Sequence, residues 1–177
     1  MSERRNVIVT GERRFPAKVA AELSRRHRSM LSNAQGRVLD LSDPAAREVV
    51  RTALDRGRTA DDDQWDLVVS VGELIRFPDL PATLAAIDSL IAPGGRLLAV
   101  EPVARPGIVR VIASSMWSPS RWVRRFHLGR DLPAATRTTS LTNDDIDRFI
   151  IPTAVVPLRH FVAIGARRAE PSREVVR

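Results

Sequence analysis

The chain has 177 residues, 44% hydrophobic and 28% charged, the balance of a globular protein long enough for one packed core. The formal net charge is +7 and there is no cysteine, which excludes a disulfide framework, a thiolate zinc site and a cysteine nucleophile. No apolar stretch approaches the roughly 18 to 20 residues that span a bilayer, and Met1 to Asn6 leads into only a short apolar piece. These features predict a cytoplasmic protein without a membrane helix or signal peptide.

Asn6 to Thr10 is a short apolar run ending at Gly11, the pattern of a buried strand. Pro16 suits the first turn of a helix whose face carries Val19, Ala20 and Leu23 and which fades in Arg25 to Arg28. Arg37 to Leu41 reads as a second strand after the turn residues Asn33 to Gly36. Asp43 followed by Pro44 is a helix start, and Ala46, Val49, Val50, Ala53 and Leu54 give that helix an apolar stripe, which Gly57 stops. Leu67 to Val71 is the next strand, followed by a helix carrying Leu80, Leu84, Ile87 and Ile91. Pro93-Gly94-Gly95 ends that helix, and Arg96 to Val100 is a strand. From Gly107 to Leu128 the pattern is helical but broken at Ser118-Pro119. Phe149 to Val155 and Arg159 to Ala166 are the last strand candidates, split by Pro157.

Alternating strands and helices predict an α/β fold with a mostly parallel sheet, helices on both faces and an antiparallel last strand. Residues 1–168 read as one domain and 169–177 as a flexible tail.

The segment from Asp66-Leu-Val-Val to Ala92-Pro-Gly-Gly-Arg-Leu-Leu-Ala-Val-Glu-Pro102 resembles the class I S-adenosylmethionine-dependent methyltransferases in the order and spacing of its motifs. Pro157 to Arg168 is similar, more loosely, to that family's last strand. The resemblance implies a Rossmann-like fold. Within it, Asn6 to Thr10 takes the place of strand one beside Leu67 to Val71, and Arg37 to Leu41 that of strand two. The third, edge strand is then missing or vestigial, because only Arg58 to Trp65 is left to hold it.

The family needs a close-approach loop after its first strand, a carboxylate for the ribose and a pocket for adenine. That implies a cofactor site of Thr10, Gly11, Asp40, Asp43, Asp61, Asp62, Ser70, Val71 and Gly72 for S-adenosylmethionine. Asp43 has an ordinary role as a helix cap, and Asp61-Asp62-Asp63 one as a solvated turn. The loop carries one glycine and two arginines, Arg13 and Arg14, where the family keeps glycine. Binding in the isolated protein is therefore expected to be weak or absent. Glu73 and Glu101, at the carboxyl ends of strands, are the candidate catalytic residues, placed to orient a substrate amine or hydroxyl.

His127 and His160 have no ligand spacing, so no metal is expected. The basic-aromatic stretch Trp117 to Phe126 suits packing on the sheet, a lid, or an anionic membrane surface. The positive charge falls on arginine apart from Lys18, and no RNA-binding signature accompanies it, so no specific nucleic acid partner is expected. Two functions remain: a methyltransferase-like enzyme acting on a small molecule, or a degenerate, inactive member serving as a binding or assembly partner, including a homo-oligomer. A short-chain dehydrogenase is dropped, because its catalytic tyrosine has no counterpart in a chain without tyrosine.

Overall fold

A computed structural model describes residues 15–56, 64–103, 130–152 and 159–170. Asn6 to Thr10, the helical pattern from Gly107 to Leu128 and most of the tail lie outside the described residues.

Helix α1 spans Ala17–Ser32, and its first turn closes with Ala20 N donating to Pro16 O at 2.9 Å. The helix does not fade in its basic stretch. Glu22 holds Arg25 at 2.7 Å and Arg26 at 2.8 Å, neutralising charges one turn away, and the helix runs on to Ser32. Strand β1 is short, Val38–Asp40. Asp43 caps α2 (Pro44–Arg56), accepting from Ala45 N at 2.9 Å, and Pro44 takes the first helical position. Strand β2 is Trp65–Val71, followed by Gly72 at φ +69° and a 3₁₀ turn, Leu74–Arg76. Asp79 caps α3 (Leu80–Leu90), which passes directly into β3, Ile91–Pro102. A short helix α4 (Leu132–Thr136) precedes β4 (Leu141–Ile150) and β5 (His160–Arg168).

The described strands form one sheet in the order β1-β2-β3-β5-β4. β1, β2 and β3 are parallel, while β5 runs antiparallel to both β3 and β4. The expected Rossmann-like layout therefore holds, with the antiparallel last strand within two residues of its expected bounds. The strand before it is displaced: β4 ends at Ile150, whereas the apolar pattern had suggested Phe149 to Val155. Asp144, Asp145 and Asp147 interrupt its apolar content, so that content alone does not mark it.

The assignment of β1 needs correction. Val38, Leu39 and Asp40 pair with Leu67, Val68 and Val69, and β3 occupies the other side of β2. The place beside β2 reserved for Asn6 to Thr10 is thus filled by the strand taken as second. From β1 the chain passes through α2 and returns at β2, leaving no room for two intervening strands. The stretch Arg58 to Trp65, expected to hold a vestigial third strand, lies mostly outside the described residues.

Two cores cover the two faces. Ala46, Val50 and Ala53 of α2 and Leu84, Ile87 and Leu90 of α3 share one core with Leu39, Val68, Leu97, Val162 and Ile164. Val19 and Leu23 of α1 share the other with Val100, Ile151 and Phe161. The alternation of Phe161 and Val162 between cores is the strand period of two. At the amino end, Arg37 N donates to Asp66 Oδ2 at 2.7 Å, and Gly36, at φ +74°, lets the chain approach that carboxylate.

Ile87 is fully buried between α3 and the sheet. Ile87→Ala is expected to cost about 2–5 kcal/mol in urea unfolding. A loss below about 1 kcal/mol would contradict this packing.

Candidate functional site

Open α/β sheets bind ligands beyond the carboxyl ends of their strands, so that edge is where the predicted residues must meet. Asp40 ends β1, Ser70 and Val71 end β2, Gly72 and Glu73 follow, and Glu101 lies near the end of β3. Thr10, Gly11, Asp61 and Asp62 lie outside the described residues.

Asp40 faces inward to its neighbours. His27 Nε2 donates to its Oδ2 at 2.9 Å, and Ser42 donates through N at 3.0 Å and through Oγ at 2.9 Å. Burial works to raise its pKa, but these hydrogen bonds and the His27 charge hold it below the ordinary aspartate value. The group ties α1 to β1. Asp43 is exposed and serves as the α2 cap.

Arg47 is the residue that the sequence reading did not single out. It is buried, and its Nη1 donates to Leu41 O at 2.7 Å, to Ser42 O at 2.9 Å and to Glu73 Oε2 at 3.2 Å. Glu73 also pairs with Arg76 Nε at 2.7 Å. The carboxylate expected to orient a substrate is therefore clamped between two arginines of the chain. A signal was present: Arg47 stands three residues before Val50 and seven before Leu54, on the apolar stripe of α2. His27 likewise stands four residues after Leu23, on the buried face of α1.

Glu101 is 3% exposed. Its Oε1 accepts from Ser70 Oγ at 2.7 Å, Leu74 N at 3.1 Å and Glu73 N at 3.2 Å, pinning the turn after β2 to β3. Its Oε2 is buried and has no hydrogen-bond partner among the described residues. Burial pushes the carboxyl up to about 7, outweighing the hydrogen bond from Ser70 and those from the backbone. Such a group exchanges a proton near neutrality.

The remaining positions are covered as well. A side chain at Gly72 would meet the ring of Phe15 at 3.0 Å, so Phe15 lies on that glycine. Arg130 donates to the carbonyls of Phe77 and Pro78, closing the loop into α3. Among the described residues, an open depression lies against this loop, lined by Pro78, Asp79, Leu80, Pro81, Arg130, Asp131 and Ala135. No group of three or more metal-ligating side chains is placed to hold an ion among the described residues, and no helix there is long and apolar enough to cross a membrane.

No protein-family model and no curated protein matches the chain. Solved structures do. The N-methyltransferase NodS from Bradyrhizobium japonicum WM9, in complex with S-adenosyl-L-homocysteine, superposes with a TM-score of 0.54 at 14% identity, covering 87% of this chain and 89% of that one. The fold is that of the class I methyltransferases. A second NodS structure gives a TM-score of 0.51 at 15% identity, over 86% of this chain and 97% of that one. The 4+2 cyclase SpnF gives 0.52 at 12% identity, over 85% and 81%. A cyclase among these neighbours of the methyltransferase fold shows that the architecture alone does not fix a reaction.

Glu101 yields a pH test. Its folded pKa lies above the unfolded value, so the folded state holds the extra proton between about pH 4.5 and about 7. Its contribution to stability is complete below that window and is lost as pH rises through it. Relative to Glu101→Gln, the natural chain should therefore lose stability between these limits in denaturant titrations. Parallel curves for the two proteins would refute the assignment.

Proposed function

We propose that this chain is a methyltransferase-fold protein that does not itself transfer methyl groups and acts as a binding or assembly partner. The observation that carries this reading is the Arg47 clamp. A buried guanidinium joins the end of β1 to the turn after β2, across the edge where a cofactor would approach. The winding supports it. Both crossover helices, α2 and α3, lie on one face, so among the described residues β1, β2 and β3 follow one another without the reversal of strand order that opens a ligand crevice. The turn from β1 to α2, Leu41-Ser42-Asp43-Pro44, holds no glycine for close approach to a cofactor.

The second reading is transfer of a methyl group from S-adenosylmethionine to a small-molecule acceptor. One observation favours it: Glu101, near neutrality and with Oε2 uncommitted, is suited to take a proton from an amine or hydroxyl.

Calorimetric titration with S-adenosylmethionine and its demethylated product separates the two. The first reading expects no heat of binding below millimolar ligand, and Arg47→Met does not weaken what little there is. Low-micromolar affinity of the unaltered chain, with label transferred to an added small amine or hydroxyl compound, would establish the second.

A further inference from the structure

We propose that β4 is the seam of a homodimer, in which the Leu141–Ile150 strands of two copies pair antiparallel about a twofold axis at Arg148. The proposal rests on strand geometry alone and stands apart from whether a cofactor binds.

β4 is the last strand of the sheet, and among the described residues no strand pairs with its outer edge. Asp144 to Arg148 are all exposed. The opposite edge, β1, has only 3 residues against the 10 of β4. Such an unpaired ladder is a template for another strand.

Side-chain placement makes this edge complementary to itself. Residues directly opposed in an antiparallel pair share a face. Ile146 lies opposite Ile164, Arg148 opposite Val162 and Ile150 opposite His160, which puts Ile146, Arg148 and Ile150 on the face that carries α2 and α3. Ile146 is 39% exposed and Ile150 58%, and they are the exposed large hydrophobics among the described residues. A twofold axis at Arg148 sets Ile146 of each copy against Ile150 of the other. On the opposite face it sets Asp147 against Phe149 of the second copy. Arg26 lies over the Phe149 ring, 3.6 Å from its centroid, and already stands 3.8 Å from Asp147 of its own copy, so in the dimer each guanidinium would sit between two carboxylates.

Neighbouring registers lose these matches. An axis at Asp147 sets Ile146 against Arg148 and parts it from Ile150, so the apolar match is lost. Charges on an edge strand ordinarily prevent pairing. Here they select one register. The two Arg148 side chains face each other on the axis, where both are exposed and reach into solvent. The irregularity between Asn143 and Asp145 confines the seam to the second half of β4. A short seam implies a dimer of micromolar rather than nanomolar affinity.

The absence of cysteine makes the test direct. Arg148→Cys places two sulfurs on the axis, about 4.5–5.5 Å apart between Cα atoms and within disulfide reach. Ile146→Cys, on the same face, leaves its two copies four residues out of step, roughly 13 Å apart. Under mild oxidation of the full chain, Arg148→Cys should form covalent dimer more than about tenfold faster than Ile146→Cys. Sedimentation velocity of the unaltered chain should show dimer growing with concentration. Ile150→Lys should abolish it while leaving the circular dichroism spectrum unchanged. Equal cross-linking of the two cysteine variants, or a monomer at every attainable concentration, would overturn the proposal.

Discussion

A guanidinium taken out of water must be surrounded by acceptors, and in this fold that demand organises the carboxyl edge of the sheet. Arg47 reaches from α2 to two carbonyls at the end of β1 and to Glu73 beyond β2. Leaving such a charge unpaired costs several kcal/mol, so the three segments hold one arrangement. Glu73 in turn holds Arg76, and the turn that carries both is pinned to β3 by Glu101. The path from β1 to β3 is a chain of polar contacts laid over an apolar sheet. Along that path these groups satisfy one another.

The same economy of length appears in the winding. With α2 lying between β1 and β2 in the chain, the described sheet advances in one direction until β3, and the antiparallel β5 and β4 follow it. The structural likeness to NodS and SpnF concerns the architecture, and architecture is compatible with several chemistries. Two local features shape the carboxyl edge of this sheet: an arginine in the apolar stripe of α2 and an aromatic ring seated on Gly72.

Much of this was legible in the residues. The segment from Asp66 to Pro102 showed its strands and helix in apolar periodicity, but their junction was misplaced: α3 ends at Leu90, and Ile91 to Gly95, read as helix end and turn, belong to β3. Asp43 and Pro44 marked the start of α2. The place of Val38 to Asp40 was not legible, because pairing order depends on contacts distant in sequence that local pattern does not carry. β4 was displaced because Asp144, Asp145 and Asp147 break the apolar alternation on which a strand is recognised. Glu101 and Ser70 were singled out from position alone, and the structure joins them by a hydrogen bond of 2.7 Å. Arg47 was passed over, although its place in the stripe of α2 announces a charge that must be satisfied inside.

Gly36 lies in an exposed loop, where substitution is ordinarily tolerated. Yet a β-carbon there would come within 2.1 Å of Asp66 Oδ2, the atom that receives Arg37 N at 2.7 Å. A surface residue thereby inherits the intolerance of an interior one. Variation along this chain will not follow solvent exposure: an alanine at position 36 would dislodge the carboxylate that docks the shortest strand of the sheet, while the neighbouring Gln35, equally exposed, has no such constraint from this contact.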